Sequence, residues 1–263
     1  MIKMKLEILN KSDRKLSFIL EEVDYGFANA LRRVMINEVP TLSIEFVDFV
    51  ENSSGLYDEI VAHRLGLIPL TFKPNSFNLK EECRCKGKGC SSCEIMLTLE
   101  KVGPGTVKAS DLVSDDKSVQ PLDKEIPIVE LLEGQKIKFT AIAQLGFGKD
   151  HSKWQAAIVG YRNVPSVKVN ENASNEIVDV CPTNVFEKKD GRIKVVREQE
   201  CILCMRCTEV NEDGVKVSAR EEDFIFSIES VCGLSAAEIL NESLDILEAK
   251  ASDFIASTKK ELK

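Results

Sequence analysis

Nine cysteines stand against two histidines in this chain of 263 residues, and they are grouped rather than scattered. Cys83, Cys85, Cys90 and Cys93 lie in one short stretch, Cys181, Cys201, Cys204 and Cys207 form a second set, and Cys232 stands apart. Thiolates bind zinc and iron–sulfur clusters, so two sets of four point to two metal-held sites. In a reducing compartment, clustered cysteines indicate metal more often than disulfides. Cys232, in the segment SVCG, reads as a small buried residue.

The first set has the spacing C-x-C-x4-C-x2-C, with Lys and Gly between the cysteines. Two short knuckles of this kind can close a tetrahedron around one Zn²⁺, while the lysines offset the thiolate charge. The spacing is tighter than that of common zinc fingers, which suggests a stapled loop rather than a DNA reader. The plain alternative is four reduced thiols in a floppy loop, and an iron–sulfur cluster is the less favoured occupant.

The second set reads as half of a bacterial-type ferredoxin pattern. In that pattern, C-x2-C-x2-C-x3-C-P, the fourth cysteine ligates the other cluster of a pair. Cys181-Pro182 matches the tail of one such motif, and Cys201, Cys204 and Cys207 match the head of another. These four supply one 4Fe-4S cluster, or a 3Fe-4S form if Cys204 does not coordinate. A second cluster lacks ligands: no cysteine precedes Cys181 in NEIVDV, and Asn211 stands four residues after Cys207. Between the cysteines, Val185–Val196 forms two strand-like runs about Asp190-Gly191, the strongest short hairpin signal, and a hairpin returns Cys181 towards Cys201. Zinc in place of iron is the competing occupant.

These sites need elements to hold them. Residues 4–9 and 15–20 predict a hairpin with Leu6, Ile8, Leu16, Phe18 and Leu20 on one side. A helix is expected over 25–37 with Phe27, Leu31, Val34 and Met35 on one face, stopped by Pro40. Leu42, Ile44 and Phe46 alternate as a strand, and 58–65 suits a short helix carrying His63 and Arg64. Ile95, Leu97 and Leu99, then Ile137, Phe139, Ala141, Ala143 and Leu145, then Phe224, Phe226 and Ile228, are strand-like. The clearest helix runs from Ser235 to about Leu262, with Ser235 and Glu238 forming a capping box and Leu234 placed to staple against Ile239. Leu240, Leu244, Leu247, Ala251 and Phe254 form a heptad-like seam on it. A seam on a helix about 40 Å long wants a partner, unless the helix lies on its own sheet.

Composition narrows the function. Lys plus Arg number 35 against 43 Asp plus Glu, a net charge of −8, which disfavours a free-standing nucleic-acid binder. No run is long and apolar enough for a membrane span, and the first residues lack the apolar core of a signal peptide, so a cytoplasmic protein is expected. His63 and His151 have no nucleophile in recognisable spacing, and no glycine-rich phosphate loop or paired Asp-x-Asp site is present.

The segments FANALRRVMINEVP (27–40) and LYDEIVAHRLGLIPL (56–70) resemble the D family of archaeal RNA polymerase subunits, counterpart of the bacterial alpha-subunit N-terminal domain and of the third-largest eukaryotic subunit. The likeness runs the full length: a cysteine loop after the IPL segment, a ferredoxin-like insertion and a long C-terminal helix follow in family order. It implies an α+β fold with a discontinuous alpha-subunit-like dimerisation domain (1–44 and 222–263), an inserted mainly β domain (45–168) holding the zinc loop 83–93, and a small ferredoxin-like iron–sulfur module (169–221). It further implies a non-catalytic assembly subunit of DNA-directed RNA polymerase. Such a subunit pairs with subunit L, faces the second-largest subunit around Arg32 and Arg33, joins other large and small polymerase subunits, and does not itself bind DNA. The chain departs from eight-cysteine members of the family as described, which leaves one cluster. An iron–sulfur electron-transfer protein, or the Fe-S subunit of a redox enzyme, is the rival reading; it explains 181–207 but neither the N-terminal region nor the heptad helix. A zinc-dependent nucleic-acid module is a weaker third, disfavoured by the acidic balance.

Overall fold

The structure, a computed structural model, describes residues 4–189 and 191–262. It is a mixed α and β protein whose contacts divide it into two compact units.

The first unit comprises Met1–Asn10, Ser17–Asn29 and Gly160–Ser227. Its main sheet has the order β1-β2-β12-β9, from strands Lys5–Lys11 (β1), Lys15–Glu21 (β2), Ala157–Val169 (β9) and Val215–Ser230 (β12). β-branched and aromatic residues favour this pleated surface. Phe18 stacks on Phe226 with ring centroids 5.1 Å apart, and Tyr161 meets Phe224 edge-on at 5.4 Å. The hairpin expectation holds, but only in part for its buried face. Leu16, Phe18 and Leu20 are buried, whereas Leu6 and Ile8 of the edge strand β1 are 53% and 51% exposed, left uncovered by the described residues.

The same unit carries a small cysteine-bearing substructure. Strands β10 (Phe186–Lys189) and β11 (Arg192–Val195) pair antiparallel, with Lys189 opposite Arg192. Of the expected Asp-Gly turn, Asp190 lies outside the described residues, and Gly191 adopts φ +76°, the left-handed region open to glycine. Short helices α3 (Glu176–Val180) and α4 (Arg206–Val210) flank the hairpin in sequence. Val167, Ile177, Val185, Phe186, Cys201, Cys207 and Val215 form one small core. Two of those seven residues are cysteines, so the apolar core is slight.

The second unit comprises Lys11–Leu16, Ala30–Val159 and Ile228–Lys263. Its central sheet has the order β3-β8-β4-β6, from Thr41–Asn52 (β3), Glu94–Val102 (β4), Val113–Ser114 (β6) and Lys136–Gly146 (β8), all antiparallel. A second pair joins β5 (Gly105–Lys108) to β7 (Pro127–Leu131). One core unites Leu42 and Ile44 of β3, Leu97 and Leu99 of β4, Phe139 and Ala141 of β8, and Val61 and Leu65 of helix α2 (Asp58–Gly66). Phe46 departs from the expected alternation. The pairing with β8 slips between Ile44 and Phe46, so Phe46 faces solvent while Val47 and Phe49 pack on the core; a one-residue bulge inverts the period-2 phase.

Helix α1 occupies Tyr25–Asn37, where Asp24 Oδ1 accepts the Phe27 N–H at 2.7 Å and satisfies one orphan donor of the first turn. Helix α5 occupies Ala236–Glu261 with the capping box in place: Ser235 Oγ accepts from Glu238 N at 3.2 Å, and Ser235 N donates to Glu238 Oε2 at 2.7 Å. Its first turns are anchored by buried Ala236, Ile239 and Ser243, while Ala249 to Ser257 are all exposed. No helix among the described residues is long and apolar enough to cross a membrane.

Candidate metal centre and assembly surfaces

Residues 83–93 curl because the backbone turns twice. Lys86 N donates to Cys83 O at 2.9 Å and Cys93 N donates to Cys90 O at 2.9 Å, forming one knuckle around each end of the loop. Lys86, Gly87 and Gly89 take φ of 54°, 79° and 87° to let the chain reverse. At Gly89 a Cβ would also lie 2.0 Å from Glu94 Oε2, so that carboxylate would have to move aside. Glu94 is the partner of Lys80, whose ammonium it hydrogen-bonds and whose pKa it raises.

These turns bring the four sulfurs into one group, all within 4.8 Å of one another. Cys83 and Cys90 are 3.5 Å apart, Cys85 and Cys93 3.6 Å, and Cys90 and Cys93 3.8 Å. A tetrahedron with metal–sulfur bonds of about 2.3 Å has edges of about 3.8 Å, so the set suits a single ion held by four thiolates. A disulfide needs about 2.05 Å, and all four thiols are free. Burial pushes the Cys93 thiol up to about 12. Burial also opposes the Cys85 thiolate, but hydrogen bonds from Cys83 and Cys93 outweigh it and bring that thiol down to about 7.

The second set is brought together less completely. Cys201 and Cys207 are buried in one small core, with half-buried Cys181 packed against it. Burial raises the Cys207 thiol, and the nearby Cys201 and Cys181 raise it further; among the described residues, the group whose ligand atoms lie close enough to hold a metal ion is Cys83, Cys85, Cys90 and Cys93. Cys181 Sγ accepts the Val185 N–H at 3.4 Å. Cys204 is exposed, between Leu203 and Met205, both at positive φ. Two residues that spacing alone did not single out grip this loop. Arg162 of β9 donates from Nη1 to Cys201 O at 2.7 Å and from Nη2 to Gln199 O, and Glu198 Oε1 accepts the Val167 N–H at 2.8 Å. Nothing in a strand-like pattern marks an arginine for that task.

The remaining candidate residues lie on helices. On α1, Arg32 is half-buried and Arg33 exposed, as adjacent helical residues about 100° apart require. On α5, Leu240 and Leu247 are half-buried, Leu244 is 41% exposed, Ala251 is exposed and Phe254 is 74% exposed. Ile255 beside it is also exposed. Apolar side chains thus stay open to solvent along this helix.

Residues 38–161 match the RNA polymerase Rpb3/RpoA insert domain. The chain is 40% identical to DNA-directed RNA polymerase subunit Rpo3 of Methanosarcina mazei over 259 residues, covering 96% of this chain and 97% of that protein. It is 36% identical to subunit Rpo3 of Pyrococcus furiosus, covering 98% of each chain. It is also 35% identical to the RNA polymerase II subunit rpb3 of Dictyostelium discoideum, covering 95% of this chain and 93% of that one. Similarity at this level over nearly the whole length leaves the electron-carrier reading, which accounts for one cysteine set, without support. The chain belongs to the Rpo3/Rpb3 family of DNA-directed RNA polymerase subunits.

Proposed function

We propose that this chain is the non-catalytic assembly subunit of a cytoplasmic archaeal DNA-directed RNA polymerase, and that it pairs with subunit L to form the platform for the large catalytic subunits. The observation that carries the reading is the open apolar seam of α5, Leu244 to Phe254, in a chain similar to Rpo3 subunits from end to end. Polymerase chemistry needs carboxylates holding two metal ions, and those belong to another chain of the complex. The dimerisation domain is residues 1–44 with 222–263. The inserted domain is 45–168, and the iron–sulfur module is 169–221. The exposed Arg33, with Arg32, faces the second-largest subunit, and small polymerase subunits complete the assembly.

Cys83, Cys85, Cys90 and Cys93 hold one Zn²⁺, which supplies no chemistry and closes the loop that its charged, glycine-rich sequence cannot close by apolar packing. Cys181, Cys201, Cys204 and Cys207 hold one 4Fe-4S cluster, or a 3Fe-4S form without Cys204. Its role is structural: the core around Cys201 and Cys207 is slight, and a bound cluster would add to its order. Producing the chain with and without subunit L tests the central reading. A 1:1 complex supports it, and a stable monomer indifferent to L refutes it.

A further inference from the structure

We propose that Arg162 is a positioning residue for the iron–sulfur loop, so that retention of the cluster depends on a clamp made by strand β9. The inference rests on the reading of Cys181, Cys201, Cys204 and Cys207 as cluster ligands. Residues 198–206 have little of their own to hold them. Glu198–Glu200 is a single 3-10 turn, Ile202, Cys204, Met205 and Arg206 are exposed, and Leu203 and Met205 occupy the left-handed region. Such a segment offers few apolar contacts to offset the entropy of ordering it.

The order comes instead from the sheet. The Arg162 guanidinium spans the carbonyls of Cys201 and Gln199, and Glu198 takes the Val167 N–H of the same strand at 2.8 Å. β9 is itself paired to β12, so these three bonds fix the backbone of a ligand residue to a regular element. The planar fork of arginine can serve two carbonyls at once, whereas the ammonium of lysine reaches one with less directional hold.

The test uses the chain produced with subunit L under anaerobic conditions. Iron per chain is measured, followed by the decay of visible cluster absorbance on adding an iron chelator. Arg162→Met, which removes both bonds, should speed the decay at least about tenfold, given charge-assisted hydrogen bonds of ordinary strength. Arg162→Lys should fall between the two, a rescue that mere loss of side-chain volume would not give. Glu198→Ala provides a second route to the same loop and should also speed the decay, which decides the matter if Arg162→Met fails to pair with L. Decay within twofold of the parent in the folded variants overturns the inference while leaving the cluster assignment intact. A parent without iron refutes the cluster assignment and the inference together.

Discussion

Replacing Phe254 with alanine probes the proposed pairing surface with little effect on the chain alone. The side chain is 74% exposed and sits where α5 has no buried neighbours in sequence, so the monomer loses almost nothing by its removal. An aromatic side chain offers about 200 Å². At this exposure about 150 Å² remains to be covered by a partner, worth about 4 kcal/mol at ~25 cal/mol per Å². Alanine keeps its Cβ and coverage falls short of complete, so a loss of about 2 to 3 kcal/mol is expected, or roughly 30- to 150-fold in Kd. Titration of parent and variant with subunit L by calorimetry measures it, with circular dichroism and thermal unfolding to confirm an unchanged fold. Affinity within twofold of the parent, in a folded variant, would show that the α5 seam is not where L binds.

Other perturbations address single links. Cys93→Ser removes the most buried of the first four thiols, and elemental analysis should show zinc falling from about one per chain to a small fraction of that. Ser235→Ala abolishes the capping box of α5, and urea unfolding should report a loss of about 1 kcal/mol. The Asp111 carboxyl is partly desolvated, but Lys101 Nζ at 2.6 Å and the Lys108 N–H at 2.8 Å hold it below the ordinary carboxylate range. Its contribution is therefore fully present above the unfolded value near 4 and drains away as pH falls through the lower folded value. The stability gap between parent and Asp111→Asn should accordingly narrow between pH 5 and pH 3 in urea titrations at each pH, and a gap that widens on acidification would contradict the sign.

Local signals in the sequence carried far. The helix over 25–37, the capping box at Ser235 and the alternation of Leu97, Leu99, Phe139 and Ala141 depend on residues a few positions apart, and the chain folds as they indicate. The knuckle spacing of Cys83 to Cys93 likewise encodes a turn at each end, which suffices to gather four sulfurs. What escaped was set at long range. The phase of Phe46 is fixed by a bulge against β8, a strand some ninety positions away, and no local pattern announces it. The exposure of Leu6 and Ile8 depends on whether another element covers β1, since alternation reveals an apolar face but not its occupant. Strand β9, and with it Arg162, carries mixed polar and apolar residues and a proline, a weak signal whose meaning appears only once the 198–201 segment lies against it.

Pairing with subunit L is the central claim. Sedimentation of the purified chain alone, of subunit L alone and of an equimolar mixture tests it most directly. A single species in the mixture with the summed mass of one copy of each is the predicted result. Two unchanged boundaries, with this chain a stable monomer, would contradict it.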